Sequence, residues 1–92
     1  MEQADLTVFI DNDRGRVNEW RFPPGTETGQ HWHELNYVVV PVVPGTLIIR
    51  NDDGDVENRI TAGSPYYRDA GAEHNVFNAT DQEVAFIEIE LK

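Results

Sequence analysis

The chain has 92 residues, with 7 basic and 17 acidic side chains, a formal charge of −10 with histidines neutral, and 39% hydrophobic residues. This is one small acidic domain with enough clustered apolar residues to fold, and the negative excess, unrelieved by any Lys or Arg cluster, disfavours nucleic acid and anionic membranes as partners. Cysteine is absent, which excludes disulfides, thiolate nucleophiles and iron–sulfur clusters and leaves histidine, carboxylate or water to hold any metal.

A domain of this size buries only about 60–65% of its unfolded surface, so a metal or a partner subunit is expected to supply part of its stability. The start, Met1-Glu2-Gln3-Ala4-Asp5, is acidic and is not followed by the apolar stretch of a secretion signal. The longest apolar run, Tyr37 to Val43, is interrupted by Pro41 and falls short of the roughly 20 residues that span a bilayer. The expectation is a soluble, cytoplasmic protein with no membrane partner.

In chain order, period-two alternation recurs and helical periodicity does not, which predicts an all-β domain over residues 1–92. Leu6 to Ile10 reads as a strand closed by the turn residues Asp11 to Gly15, and Arg16 to Phe22 resumes the extended pattern. The acidic turn is not a calcium loop, because the twelfth position, where a bidentate Glu belongs, is Phe22. Trp20 and Phe22 share one face and are expected in the core.

Pro23-Pro24-Gly25 ends this strand and a small polar loop leads into Gln30 to Val40, whose Val38-Val39-Val40 is apolar on both faces and predicts a covered central strand. Pro41 cannot donate to a ladder and marks a bulge or strand end. Gly45 to Asn51 and Asp55 to Thr61 flank Asp53-Gly54, a strong hairpin signal. Shorter strands follow at Tyr66 to Arg68 and His74 to Ala79. In the last strand Ala85, Ile87, Ile89 and Leu91 predict the buried face, with Glu88 and Glu90 pointing the other way. About eight short strands with Gly or Pro turns predict a sandwich or barrel.

His31 and His33 share a strand face by their spacing, close enough to hold one ion, and His74 is the third histidine of the chain. The order Gly25, His31, His33 and then Gly63, Gly71, His74, Asn78 resembles the two motifs of the cupin superfamily, the first over about residues 25–45 and the second over about 63–78. More narrowly, Pro23 to His33, Tyr37 to Pro41 and Phe86 to Leu91 are similar to the small single-domain bacterial cupins labelled β-alanine degradation proteins.

The resemblance implies an antiparallel double-stranded β-helix, the jelly-roll barrel, with one divalent metal held inside by His31, His33 and His74. Where the family places a ligating Glu, four or five residues after the second histidine, this chain has Tyr37 and Val38, and where the second motif has Pro there is Asp69. Tyr37 has the histidines' parity and is expected to present its hydroxyl to substrate; Glu34 and Glu73 are out of phase and are not expected to ligate. Three neutral imidazoles leave the ion its full charge, suited to a small anionic chelating ligand.

Arg68 and Asn78 are further substrate-facing candidates, and Leu35, Val39 and Val76 share the ligands' parity as pocket lining. Trp32 and Phe77 have the opposite phase and are expected against a neighbouring subunit, while Val38 and Val40 supply an outer apolar face for a homodimer. Fe(II) is favoured on chemical grounds, with Zn, Ni or Mn as alternatives. The functions that follow are an O2-dependent oxygenase, a non-catalytic metal or small-ligand binding module, or a metal-independent isomerase with a histidine base. By this reading the negative charge belongs to the exterior, away from the metal.

Overall fold

Period-two alternation resolves into eleven strands in the computed structural model, which describes residues 1–92: β1 (Glu2–Gln3), β2 (Asp5–Asn12), β3 (Gly15–Phe22), β4 (Thr26–Glu27), β5 (His31–Trp32), β6 (Asn36–Val43), β7 (Gly45–Asn51), β8 (Gly54–Ile60), β9 (Tyr66–Arg68), β10 (Glu73–Phe77) and β11 (Val84–Leu91). No helix is long and apolar enough to cross a membrane. Side-chain amides close the hairpins: Asn12 Oδ1 accepts from the Arg14 and Gly15 amides, and Asn51 Oδ1 from Asp53.

One sheet runs β2-β3-β11-β6-β9; the other runs β1-β4-β10-β7-β8, with β5 also on β10. They form an all-β jelly roll whose shared core includes Phe22, Tyr37, Val39, Leu47, Val76, Val84 and Phe86. Trp20 and Phe22 are stacked at 6.1 Å, and Phe22 meets Phe86 at 5.7 Å, so both aromatics of β3 join this interior.

The predicted continuous strand from Gln30 to Val40 is broken at His33–Leu35. His33 extends the pairing of β5 with β10 by one residue before the chain turns away: its N–H donates to Ala72 O at 2.9 Å and its carbonyl accepts from Gly71 N at 2.8 Å. Further on, β6 pairs with β11 through a register shift in which Phe86 faces Pro41 and Ala85 faces Val43, leaving Val42 as the extra residue of a bulge beside the proline.

Beyond that bulge the orientation of β11 is the reverse of the one predicted from its apolar residues. Glu88 and Glu90 are buried at 5% and 8% exposure, while Ile87 and Ile89 lie half-buried on the outer side and Leu91 is exposed. The reason lies on β3, where Arg16 and Asn18 stand opposite Glu90 and Glu88. Arg16 donates to both oxygens of Glu90 at 3.3 and 2.6 Å, and Asn18 Nδ2 donates to Oε1 at 2.9 Å. Three charge-assisted bonds outweigh the preference of two isoleucines for the inside. The expectation that carboxylates stay on the exterior is therefore incorrect.

Phe77 also departs from its predicted outward position: it is buried at 7% exposure beneath the Arg50 guanidinium, 4.8 Å from the ring centroid. Trp32 is 59% exposed. At the β6–β7 corner a side chain on Gly45 would put its Cβ 2.5 Å from Val84 Cγ2, and Val84 is fully buried. Gly45→Ala is expected to cost about 1–3 kcal/mol through forced repacking, read as a lower urea midpoint with an unchanged slope.

Candidate metal centre

His31 on β5 and His74 on β10 are direct cross-strand partners. His33 joins them because its backbone is clamped to Gly71 and Ala72, a turn that the positive φ of Gly71 (104°) makes accessible. The Nε2 atoms converge, with His31 to His33 at 3.0 Å and His33 to His74 at 3.2 Å, and the rings meet edge to face.

His31 Nδ1 lies 2.8 Å from Gly29 O, which can only accept, so Nδ1 carries the proton and Nε2 presents a lone pair to the cluster. Gly29 is held in turn by Asn75 Oδ1, which accepts from its amide at 3.0 Å, and Thr28 Oγ1 lies 3.2 Å from the same Nδ1. Burial pushes the His33 and His74 imidazoles down to about 4, helped by the neighbouring histidines, which keeps them neutral. Ligand–metal bonds of about 2.0–2.1 Å separate cis nitrogens by roughly 2.9–3.4 Å, so two of the three pairs already have the spacing of a coordination shell, and all three ligand atoms lie within 4.8 Å of one another. The donor set fits one divalent ion.

The cluster forms one wall of an interior cavity of about 160 Å³. Tyr37, Val39, Arg68 and Val76 line it, as do Trp20, Tyr66, Phe86 and Glu88. Tyr37 stacks on His33 at 4.1 Å and 20°, and burial raises its phenol to about 12, so it stays a neutral hydroxyl. Tyr66 OH accepts from Asn58 Nδ2 at 3.0 Å, which leaves its own proton free to donate. Arg68 lies over the Tyr66 ring at 4.5 Å and bonds Tyr67 O, and no carboxylate pairs with it, although four of the other basic side chains are paired.

Two predicted residues lie elsewhere. Asn78 is fully buried away from the cavity, where its amide donates to Phe22 O and Gln82 O and accepts from Thr80. It fastens loops instead of facing substrate. Leu35 lines a second, open groove of about 470 Å³ on the far side of His31 and His33, because the chain break at His33–Leu35 ends the parity that pointed it inward. Glu34 lies in that groove too, and neither Glu34 nor Glu73 joins the three-histidine cluster.

Residues 18–90 match the cupin domain family. The chain belongs to the cupin family. It is 51% identical over 90 residues to the β-alanine degradation protein BauB of Pseudomonas aeruginosa PAO1, covering 98% of this chain and 95% of that protein. A cupin domain from Bordetella pertussis Tohama I superposes with a TM-score of 0.96 at 50% identity, over 99% of this chain and 95% of the other. An RmlC-like cupin with a double-stranded β-helix fold from Methanocaldococcus jannaschii gives a TM-score of 0.80 at 11% identity, over 99% and 82%, a likeness of fold alone.

The residue that sequence reasoning missed is Glu88, which lines both the cavity and the groove. A signal was available: Arg16 and Asn18 repeat the two-residue spacing of Glu88 and Glu90 on a strand able to pair with theirs. Burial, with Glu90 beside it, raises the Glu88 carboxyl from the usual 4.5 to about 8. Between those values the unfolded chain releases a proton that the folded chain keeps, so folding loses stability as pH rises through this window and the full penalty applies above it. Glu88→Gln, neutral throughout, is expected to gain stability over wild type as pH rises, by a few kcal/mol at most, with the difference closing near pH 4.5. Urea unfolding of metal-free protein at pH 5 and pH 9 measures it.

Proposed function

We propose that this cupin holds one divalent ion on His31, His33 and His74 and acts there on a small anionic chelating metabolite, as an O2-dependent oxygenase. The observation that carries the reading is the convergence of three imidazoles, those of His33 and His74 held neutral by burial, on one wall of an interior cavity. A first-row ion bound there would supply Lewis acidity and, as Fe(II), redox chemistry with O2.

The protein's part is positioning. Tyr37 and Tyr66 offer neutral hydroxyls, Arg68 offers a cation held by stacking, and Val39, Val76 and Phe86 exclude water from the remaining surface. An apolar cavity of about 150 Å³ takes a benzene ring, so about 160 Å³ suits a molecule of similar size. The name of the Pseudomonas relative favours a small carboxylate from amino-acid breakdown. Assembly as a homodimer belongs to the same reading: Ile10, Val17, Ile89, Val38 and Tyr67 are successive cross-strand partners over all five strands of one sheet, an apolar band on its outer side.

Protein purified without an affinity tag should contain about one first-row ion per chain. His33→Ala should abolish stoichiometric binding, and Thr28→Val, which loosens the setting of His31, should weaken it about tenfold. Wild-type levels of metal in His33→Ala would overturn the ligand assignment. Oxygen uptake with a panel of small carboxylates, thiols and β-diketones tests the reaction; full metal loading with no turnover would assign the protein as a binding module instead. Sedimentation should show a dimer that Val38→Glu converts to monomer.

A further inference from the structure

Glu88 is the one carboxyl that lines both the cavity and the groove; the close hydrogen bonds of Arg16 and Asn18 go to Glu90, and Asn18 acts on Glu88 more weakly. Its surroundings can be read from the register. On β3 stand Asn18, directly opposite, and Arg16; on its own strand stands Glu90; on β6 stand Val39, directly opposite, and Tyr37; on β9 stand Tyr66 and Arg68; on β2 the nearest side chain is the uncharged Val8; and the three imidazoles close the cavity.

Arg16 and the Asn18 amide are both spent on Glu90. Two carboxylates two residues apart on one strand face, with one cation between them, cannot both remain ionised in an apolar wall, and the one without those close bonds keeps a proton. Asn18 Oδ1 adds an independent observation: it is a buried acceptor with no partner, directly across the ladder from Glu88, and the single O–H of Glu88 can serve it until a ligand takes that hydrogen bond.

Resting on the metal-site reading above, we propose that Glu88 works as a neutral carboxylic acid that donates a hydrogen bond to an anionic ligand held at the three histidines, and so selects for small carboxylates. With Glu88 neutral, the polar wall around the imidazoles carries the donors of Glu88, Tyr37, Tyr66 and Arg68 beside the neutral Thr28 and Asn58, and no negative charge. Such a wall matches an oxygen-rich anion and gives an ammonium group no anionic partner. An ionised Glu88 would repel that anion at close range through a low dielectric. The carboxyl's raised value, about 8, agrees with this geometry.

The first test needs neither metal nor ligand. Carbon-13 NMR of the glutamate carboxyls in metal-free protein should show Glu88 still protonated at pH 7, titrating near 8 and moving down in Glu90→Gln, where the like charge is gone. An ionised Glu88 at pH 7 overturns the proposal. The second test uses acetate as probe and the visible absorption of Co(II)-loaded protein as readout. At pH 7 acetate should bind Glu88→Ala, which lacks the donor, about tenfold more weakly than wild type, with Glu88→Gln, which keeps a neutral donor, close to wild type; equal binding by Glu88→Ala and wild type overturns the proposal. The same loss in Glu88→Gln, or no acetate binding by wild type, would also overturn it. Failure of Co(II) to bind at all counts against the three-histidine reading instead, and the NMR result then decides whether Glu88 holds the proton.

Discussion

The site depends on one backbone exchange. His33 gives its N–H to Ala72 and takes a bond from Gly71, which carries the pairing of β5 with β10 one step past Trp32 and Glu73 before the chain crosses to β6. Without it, the pairing would stop at Trp32 and His33 would not be held beside His74. With it, the two segments lie close enough for the Nε2 atoms to reach 3.0 and 3.2 Å of each other. The second motif's glycine is explained by the same exchange, since the left-handed backbone at Gly71 is what aims its amide back at His33. The imidazoles are then fixed from behind, His31 by Gly29 O and His33 by the Tyr37 ring. Orientation is settled before any ion arrives, which limits the entropy that binding must overcome.

The inner face of the five-stranded sheet carries the consequences in rows. Trp20 and Phe86 lie side by side at one level; Asn18, Glu88, Val39 and Tyr66 form the next; Arg16, Glu90, Tyr37 and Arg68 form the last. Polarity therefore rises along the cavity from an aromatic end to a charged one. The last row alternates in charge, cation, anion, hydroxyl, cation, and Arg16 with Glu90 is an ion pair whose carboxylate side is nearly enclosed. Glu90 is a scaffold carboxylate, bonded three times and closed to exchange. Glu88, two residues away with none of those bonds, lies against the cavity, where on the proposed reading it meets the ligand.

How much of this was legible in the sequence follows from what alternation encodes. Period two reports that successive side chains face opposite ways, and the longer strands were readable on that basis, the Asp53-Gly54 turn and the Pro41 bulge from the chemistry of those residues; the two-residue β1 and β4 and the break after β5 were not. It does not report which face is the inside. For β11 both faces are substantially covered, Ile87 and Ile89 being half-buried outside and Glu88 buried inside, so the usual rule that the apolar side is the core had no force. Leu35 failed for a related reason: parity was carried across His33–Leu35, where the strand stops. Asn78 lies just after the end of β10, and its fourfold bonding to two loops is a long-range fact that no local pattern holds. The histidines were legible because their spacing and order are themselves the coordination geometry.

The exterior and interior of this chain follow opposite electrostatic logic. A net charge of −10 lowers the chance that an anion diffuses to the surface, and Arg21, Arg50 and Lys92 are neutralised by carboxylates there. Arg68 escapes that pairing because its guanidinium lies over Tyr66 and bonds the Tyr67 carbonyl, a neutral setting that leaves the charge uncancelled beside the cavity. Inside, desolvation works on each group in the direction that removes negative charge or leaves lone pairs free: it lowers His33 and His74 and raises Tyr37, Tyr66 and Glu88. The repulsive shell then acts as a filter on approach, and affinity is set by the few groups that the fold keeps neutral or positive. On the proposed reading, an anion that overcame the shell would be held by donors and metal together. A cation drawn readily to the surface finds the imidazole lone pairs, which suits a metal ion, but no free carboxylate at neutral pH to hold an organic amine.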